Sequence, residues 1–485
     1  MTVESPLRHV LPAYRTVWRW HFYAALFTIP FIVILSLSGI VYLFKAEIED
    51  WLDRPYDNLT SASAPAPLVA QIQAAVASLP SGRFVSYELP RGPGTATRIV
   101  VRHGEESSRV YIHPQSLAVL QTVVEKDRLM RQVFRIHGEL MLGDPGSYLV
   151  ELAASWTIVM ILTGLYLWWP RHLRSLAGVL YPRLGGGRRM LLRDLHSVTG
   201  VWISLFALLL LVSGLPWSRF WGDYFREVRR VTGTAVARQE WSNRAEGAAP
   251  SATSSGGGEH AGHAAGSAPA RTGRRGGRGH AAPVSPATLE QLEQLDVVVR
   301  ATQPLGLAHP VIIAPPGGES SGWTVKSMTA NRPYRETLTI DGKKGEVLSR
   351  EGFADRHWID RVVSIGIAVH EGRLFGWPNQ LLGLLTALGL ILLSCTGPIM
   401  WWRRRAPGSL GAPSVSAIPM RSDFLFAIPF LAFVTLLGIC LPLFGASLLA
   451  VLLIERVVLR NIPAVSRWLG LRTTAWATPE PSQVS

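Results

Sequence analysis

Four histidines recur at matched places along the 485-residue chain. With His21 set over His196, Ser38-Gly39 falls on Ser213-Gly214, at +17 and +18 in both copies. With His137 set over His370, Asp127-Arg128 falls on Asp360-Arg361, ten and nine residues upstream. Downstream, Gly143 falls on Gly376, Pro145 on Pro378, Thr163-Gly164 on Thr396-Gly397 and Trp168-Trp169 on Trp401-Trp402. The histidines anchor the comparison, but the other matches arrive without gaps, so the chain reads as two copies of one unit. Neutral imidazole ligates haem iron, and two helices giving one histidine each would suit a planar cofactor. The pairs are then His21 with His196 and His137 with His370, holding two haems. No Cys-x-x-Cys-His motif occurs, so the haem expected is non-covalent b-type. Zinc is the weaker choice, because no acidic or cysteine ligand recurs beside the histidines. The plain alternative, interfacial histidines bonded to backbone or lipid headgroups, stays open.

The elements that must position these residues are membrane spans. Hydrophobic residues make up 48% of the chain and collect in runs that meet the roughly 20 residues a bilayer requires. We read spans at residues 22–44, 146–169, 196–217 and 370–402, the last opening with an outer histidine segment. A final run of 31 residues, 424–454, is long for one helix and short for two. Pro442-Leu443-Phe444-Gly445 inside it allows a hairpin over 423–458. The expected fold is an all-α polytopic membrane protein of about six transmembrane helices, in two repeated span–domain–span units. Arginine sets the orientation: 1–21, 170–195, 403–422 and 459–485 are basic and belong in the cytoplasm. The net charge of +14 therefore reports topology and not nucleic acid. The first run shows no small-residue cleavage pattern and reads as a retained span. Cys395 and Cys440 lie in apolar runs, which argues against a disulfide.

Two segments remain outside, in what we take as the periplasm: 45–136 and 218–369. Each reads as a small α+β domain. In the first, a helix over 66–79 precedes strands at 83–88, 97–102 and 109–113; in the second, a helix over 286–302 precedes strands at 310–313, 324–328 and 336–340. Residues 246–286, rich in Gly, Ala, Ser and Arg, read as disordered. Residues 137–145 carry the first outer histidine, and the Gly-x-Pro after each outer histidine is expected to end a short helix before the span. With histidines at the cytoplasmic starts of spans one and three and just outside spans two and four, the two layers lie roughly 30 Å apart.

Other features have two readings each. Trp168-Trp169 and Trp401-Trp402 suit an aromatic belt or the flank of an inner haem. Thr163-Gly164 and Thr396-Gly397 suit close helix packing or room for a porphyrin. Arg128 and Arg361 are possible propionate partners or ordinary ion pairs with neighbouring aspartates. Arg219, Arg226, Arg229 and Arg230 form a basic run that would attract an anionic chelate or line a solvated helix. His9, His103, His113, His172, His309 and His357 have no repeat partner and read as surface residues, with His357 the one to promote. His260, His263 and His280 fall in the disordered stretch.

His21 heading a span that ends in Ser38-Gly39, His137-Gly-Glu-Leu-Met-Leu-Gly143 leading to Thr163-Gly164 and Trp168-Trp169-Pro170-Arg171, and Asp194-Leu195-His196 together resemble the PepSY-associated transmembrane family. The resemblance covers the four repeated spans and, more loosely, the outer domains, which look like PepSY modules. It implies an iron-uptake setting in a bacterial inner membrane, with some relatives acting as ferrisiderophore reductases that hold haem near both surfaces. Other relatives are fused to a flavin reductase module, which has no counterpart after Arg456, so a cytoplasmic or membrane electron donor is required. The expected activity is ferric-chelate reduction with a ferric siderophore as substrate. Two other classes stay open: a non-enzymatic PepSY regulator or sensor, and a siderophore or iron transporter.

Overall fold

The computed structural model describes residues 14–60, 64–170, 175–234, 289–317, 322–413 and 424–471. The expected linker at 246–286 lies outside them. In chain order the helices are α1 (Tyr14–Leu43), α2 (Lys45–Asp53), α3 (Leu68–Ala77), α4 (Leu129–Glu139), α5 (Asp144–Trp168), α6 (Gly187–Gly214), α7 (Arg219–Val231), α8 (Leu289–Thr302), α9 (Trp358–His370), α10 (Trp377–Arg404), α11 (Phe424–Cys440), α12 (Pro442–Val457) and α13 (Pro463–Leu469). The strands are β1 (Arg83–Glu88), β2 (Thr97–His103), β3 (Glu106–Ile112), β4 (Val119–Val124), β5 (Val311–Ala314), β6 (Trp323–Ser327), β7 (Thr337–Ile340) and β8 (Val347–Glu351). The chain divides into two compact units.

The first unit takes the chain up to Leu43, Phe134–Tyr224 and the chain from Pro378 onward. Among the described residues five helices are long and apolar enough to cross a membrane: α1, α5, α6 continued to Trp217, α10, and α12 continued to Asn461. This is a polytopic membrane protein. α11, with 17 residues, is apolar but shorter. It turns at Leu441 into α12, and a Cβ on Gly445 would stand 3.0 Å from the Gly438 carbonyl oxygen, so the hairpin closes backbone to backbone. The hairpin rests on α5, where the Trp156 indole donates to Ser447 Oγ at 3.0 Å and stacks edge-on against Phe444.

Two expectations about this unit need correction. His21 and His196 do not start their helices. α1 begins at Tyr14 and α6 at Gly187, placing both rings about two turns or more inside. Hydropathy marks the edge of the apolar run, whereas the helical backbone continues outward through Trp18, Arg19 and Trp20 in α1 and through Arg188, Arg189 and Arg193 in α6. The Gly-x-Pro pairs open the spans instead of closing the short helices. Gly143 and Gly376 take left-handed backbone (φ 66° and 68°). Pro145 and Pro378 then occupy the first turns of α5 and α10, where a missing N–H costs nothing.

The second unit holds Phe44–Val133 and Phe225–Trp377. The strands expected in two separate domains join in one antiparallel sheet, ordered β4-β3-β2-β1-β5-β6-β7-β8. The join is β1 against β5, through Tyr87 with Ile313 and Glu88 with Ile312. Pairing these strands removes two edges that separate modules would leave open. Alternation puts Ile99, Val101, Val110, Ile112, Ile313, Val325, Leu338 and Ile340 on one face, under Ile72 and Ala75 of α3 and Leu295 and Val298 of α8. The two outermost strands, β4 and β8, escaped the sequence reading. None of their side chains is buried, so no buried face imposes an alternation on them.

The other face of the first half carries charge. Arg98, 4% exposed, reaches Asp57 at 2.5 Å and Asp53 at 3.3 Å. Arg109 bonds Glu88 at 2.7 Å and Glu125 at 2.8 Å. Burial opposes ionisation of Glu125, but Arg109 and Arg128 outweigh it and hold the carboxyl below the usual carboxylate range. A depressed pKa gives stability that is complete above the unfolded value and lost as pH falls through the folded one. Stability of this unit should therefore fall below about pH 4, and Glu125→Gln should flatten the acid limb of a proteolysis-versus-pH profile.

Candidate functional site

Three of the four repeat-matched histidines are held in one way. His21 Nδ1 lies 3.0 Å from the Met160 carbonyl oxygen and 3.2 Å from Thr163 Oγ1. His196 Nδ1 lies 3.0 Å from Thr396 Oγ1, and His137 Nδ1 lies 3.0 Å from Ser38 Oγ. Each hydroxyl already directs its proton to its own helix: Thr163 to Val159, Thr396 to Leu392 and Ser38 to Ile34, all at 2.8 Å. The hydroxyls therefore accept, and the ring Nδ1–H donates. A carbonyl can only accept, which fixes the same tautomer at His21. The proton sits on Nδ1 in all three, and Nε2 keeps the lone pair, as in histidines whose second nitrogen orients them for a metal.

A glycine follows each hydroxyl residue and clears the ring edge. A Cβ on Gly164 would stand 3.1 Å from His21 Cε1, one on Gly39 3.2 Å from His137 Cε1, and one on Gly397 3.6 Å from His196 Cε1. The small pairs that mark the repeat are thus a seat for imidazole, made within each half: α5 for His21, α1 for His137, α10 for His196. Burial pulls the His137 imidazole down to about 4, so it is neutral at physiological pH. From His21 to Ser38 is 17 residues of one helix, so the inner ring and the seat of the outer ring are separated by about 26 Å along α1.

His370 ends α9 in the second unit and is half-buried. His357, promoted from sequence, has the opposite arrangement. Its Nδ1 accepts from the Ile359 N–H at 3.3 Å and caps α9, so its proton is on Nε2. His113 likewise accepts from Gln115 and Ser116 N–H. Among the described residues no three His, Cys, Asp or Glu side chains gather as a metal cage. The tautomers of His21, His137 and His196 fit residues that would hold a haem iron through Nε2.

Of the arginines picked as propionate partners, Arg128 already engages Glu49 at 3.1 Å and Glu125 at 3.5 Å. Arg361 sits half-buried on α9. The basic run divides: Arg229 is 1% exposed and paired with Asp360, whereas Arg230 is exposed and pairs with Glu227, and Arg219 lies 3.3 Å from Asp144. In each tryptophan pair the first member pins the loop that follows, Trp168 to the Val179 carbonyl and Trp401 to that of Leu410, while Trp169 and Trp402 are exposed.

Three charged residues, Arg19, Asp194 and Glu151, hold structural roles that the sequence did not assign to them. Arg19 and Asp194 stand two residues ahead of His21 and His196, and both are buried. Arg19 donates to the carbonyls of Pro413, Leu469 and Gly470. Asp194 accepts from Arg183 at 2.7 and 2.8 Å. The signal was legible, since the same repeat offset relates both pairs. Glu151, 2% exposed on α5, accepts from the Phe220 and Trp221 N–H groups at 3.0 and 3.1 Å and caps α7. A lone acid inside a span was the available clue.

The sequence pattern describing the PepSY-associated TM region matches residues 18–404, a stretch that includes all four histidines, and the chain belongs to that family. Comparison with curated proteins finds no match.

Proposed function

We propose that this membrane protein is a haem-b oxidoreductase that carries electrons from the cytoplasmic side and reduces a ferric siderophore in the periplasm. The observation that carries the reading is the shared seat of His21, His137 and His196: Nδ1–H satisfied, Nε2 left as a lone pair, a glycine at the ring edge. His21 and His196 would hold a haem near the inner surface, and His137 and His370 one near the outer. When bound, haem supplies one-electron redox chemistry. The chain's own work would be to hold and orient the four imidazoles. One electron from a reduced cytoplasmic or membrane carrier converts Fe(III) to Fe(II), which the chelator holds weakly, so the metal is released for uptake. In this reading α11 and α12 complete six spans of a bacterial inner membrane, with both termini cytoplasmic.

Reduced-minus-oxidised spectra of the purified protein test it. A b-type spectrum is expected, with one component lost in His21→Ala or His196→Ala and the other in His137→Ala or His370→Ala. A wild-type protein without reducible haem would sink the proposal and leave a regulatory or transport role for this fold.

A further inference from the structure

We propose that two buried arginines, Arg229 and Arg332, are positioning residues for His370, which they serve by clamping α9 at both ends. The inference rests on reading His370 as an outer haem ligand. Asp360 lies near the start of α9 and Glu371 just past its end. Eleven residues separate them, close to three helical turns, so they share a face. Arg229 bonds Asp360 through both oxygens, Nη1 to Oδ1 at 2.7 Å and Nη2 to Oδ2 at 2.9 Å. Its own freedom is removed by the Thr234 carbonyl, which accepts from Nε and Nη2 at 3.2 and 2.6 Å. Arg332 Nε lies 3.6 Å from Glu371 Oε2. The short turn Arg332–Tyr334 that carries it packs on α9. Both guanidinium groups are at most 2% exposed, and Ser364 and Ile367 of the same face are buried between them.

The clamp fixes the roll of the helix. His370 stands ten residues beyond Asp360, so it projects about 80° from the clamped face. An imidazole roughly 6 Å from the axis moves about 1 Å for every 10° of roll, whereas a working ligand tolerates about 0.5 Å. Roll is the motion that two ion pairs on one face resist. The arginine expected from sequence, Arg361, lies next to the clamped residue, and the work falls to Arg229.

The test uses the full chain in lipid nanodiscs. Arg229→Leu alone would leave a buried carboxylate without its partner, so the informative variant is Arg229→Leu with Asp360→Leu, which removes both charges. In that double variant we expect the inner-haem spectrum to persist and outer-haem occupancy to fall about tenfold, as for other groups that orient a metal ligand. The outer low-spin resonance should turn high-spin, and Arg229→Lys should keep most of the wild-type signal. In haem-free protein, amide exchange over residues 364–370 should accelerate at least tenfold. Unchanged exchange, or an unchanged outer resonance in a protein that binds both haems, overturns the clamp and leaves the redox reading intact. A wild type that binds no haem overturns the redox reading and, with it, this role for His370.

Discussion

On the haem reading proposed above, Thr396→Val should lower haem affinity at the inner layer by about 10–100-fold, while Thr163→Val should change it only a few-fold. This is the expected result, and the difference comes from how each ring is held. Among the described residues Thr396 Oγ1 is the sole hydrogen-bond partner of His196 Nδ1. Valine keeps the volume but removes the acceptor. The Nδ1–H then either goes unpaired in an apolar setting, at a cost of roughly 1–3 kcal/mol, or the proton moves to Nε2 and blocks the ligand atom. His21 has a second acceptor, the Met160 carbonyl at 3.0 Å, which no side-chain change removes. Ser38→Ala should fall between, since a backbone carbonyl at Leu35 also reaches the His137 ring. Haem titration of the three purified variants reads the order directly. Equal losses at all three sites would mean that the hydroxyls fill space and do not set the tautomer.

That ranking could not have been drawn from sequence. The repeat sets Thr163 over Thr396 and Ser38 over Ser213, but it is silent on which backbone carbonyls turn toward a ring. The spans themselves were legible because an apolar run of bilayer length seldom arises for any purpose except crossing lipid. Their first turns were not, since Trp18, Arg19 and Trp20 look polar-aromatic yet extend α1 outward from His21. The core strands declared themselves by alternation, as in Arg98-Ile99-Val100-Val101. The joining of β1 to β5 did not: 223 residues lie between Glu88 and its partner Ile312 (312 − 88 − 1), and a sequence pattern gives strand pairing only across short loops. Arg229 was seen as one of four similar arginines. Its difference is that it is buried against Asp360, and this is a property of tertiary packing that charge patterning does not contain.

On the haem reading proposed above, Gly164→Val should remove most of the inner-haem binding, and Gly397→Ala should remove none. The glycine following each hydroxyl stands against the ring's Cε1, but the clearances differ. At Gly164 even a methyl group would meet His21 at 3.1 Å, tighter than ordinary van der Waals contact, and the branched valine must push the ring off its Met160 acceptor. Overpacking of this kind costs about 1–3 kcal/mol, which corresponds to a factor of about 5 to 150 in the population of the seated ring. At Gly397 the methyl of alanine would sit 3.6 Å from His196 Cε1, an ordinary contact. There the helix gains the roughly 1 kcal/mol that alanine holds over glycine in a helix interior. Gly397→Ala should therefore raise the thermal midpoint slightly with haem content unchanged, and Gly39→Ala, at 3.2 Å from His137, should resemble Gly164→Ala. Helix packing alone predicts another pattern, in which all three substitutions change stability together and none changes the spectrum. Measuring absorbance per protein alongside the melting temperature separates the two, because a seat for a ligand ring responds to clearance at one atom and a helix interface responds to volume.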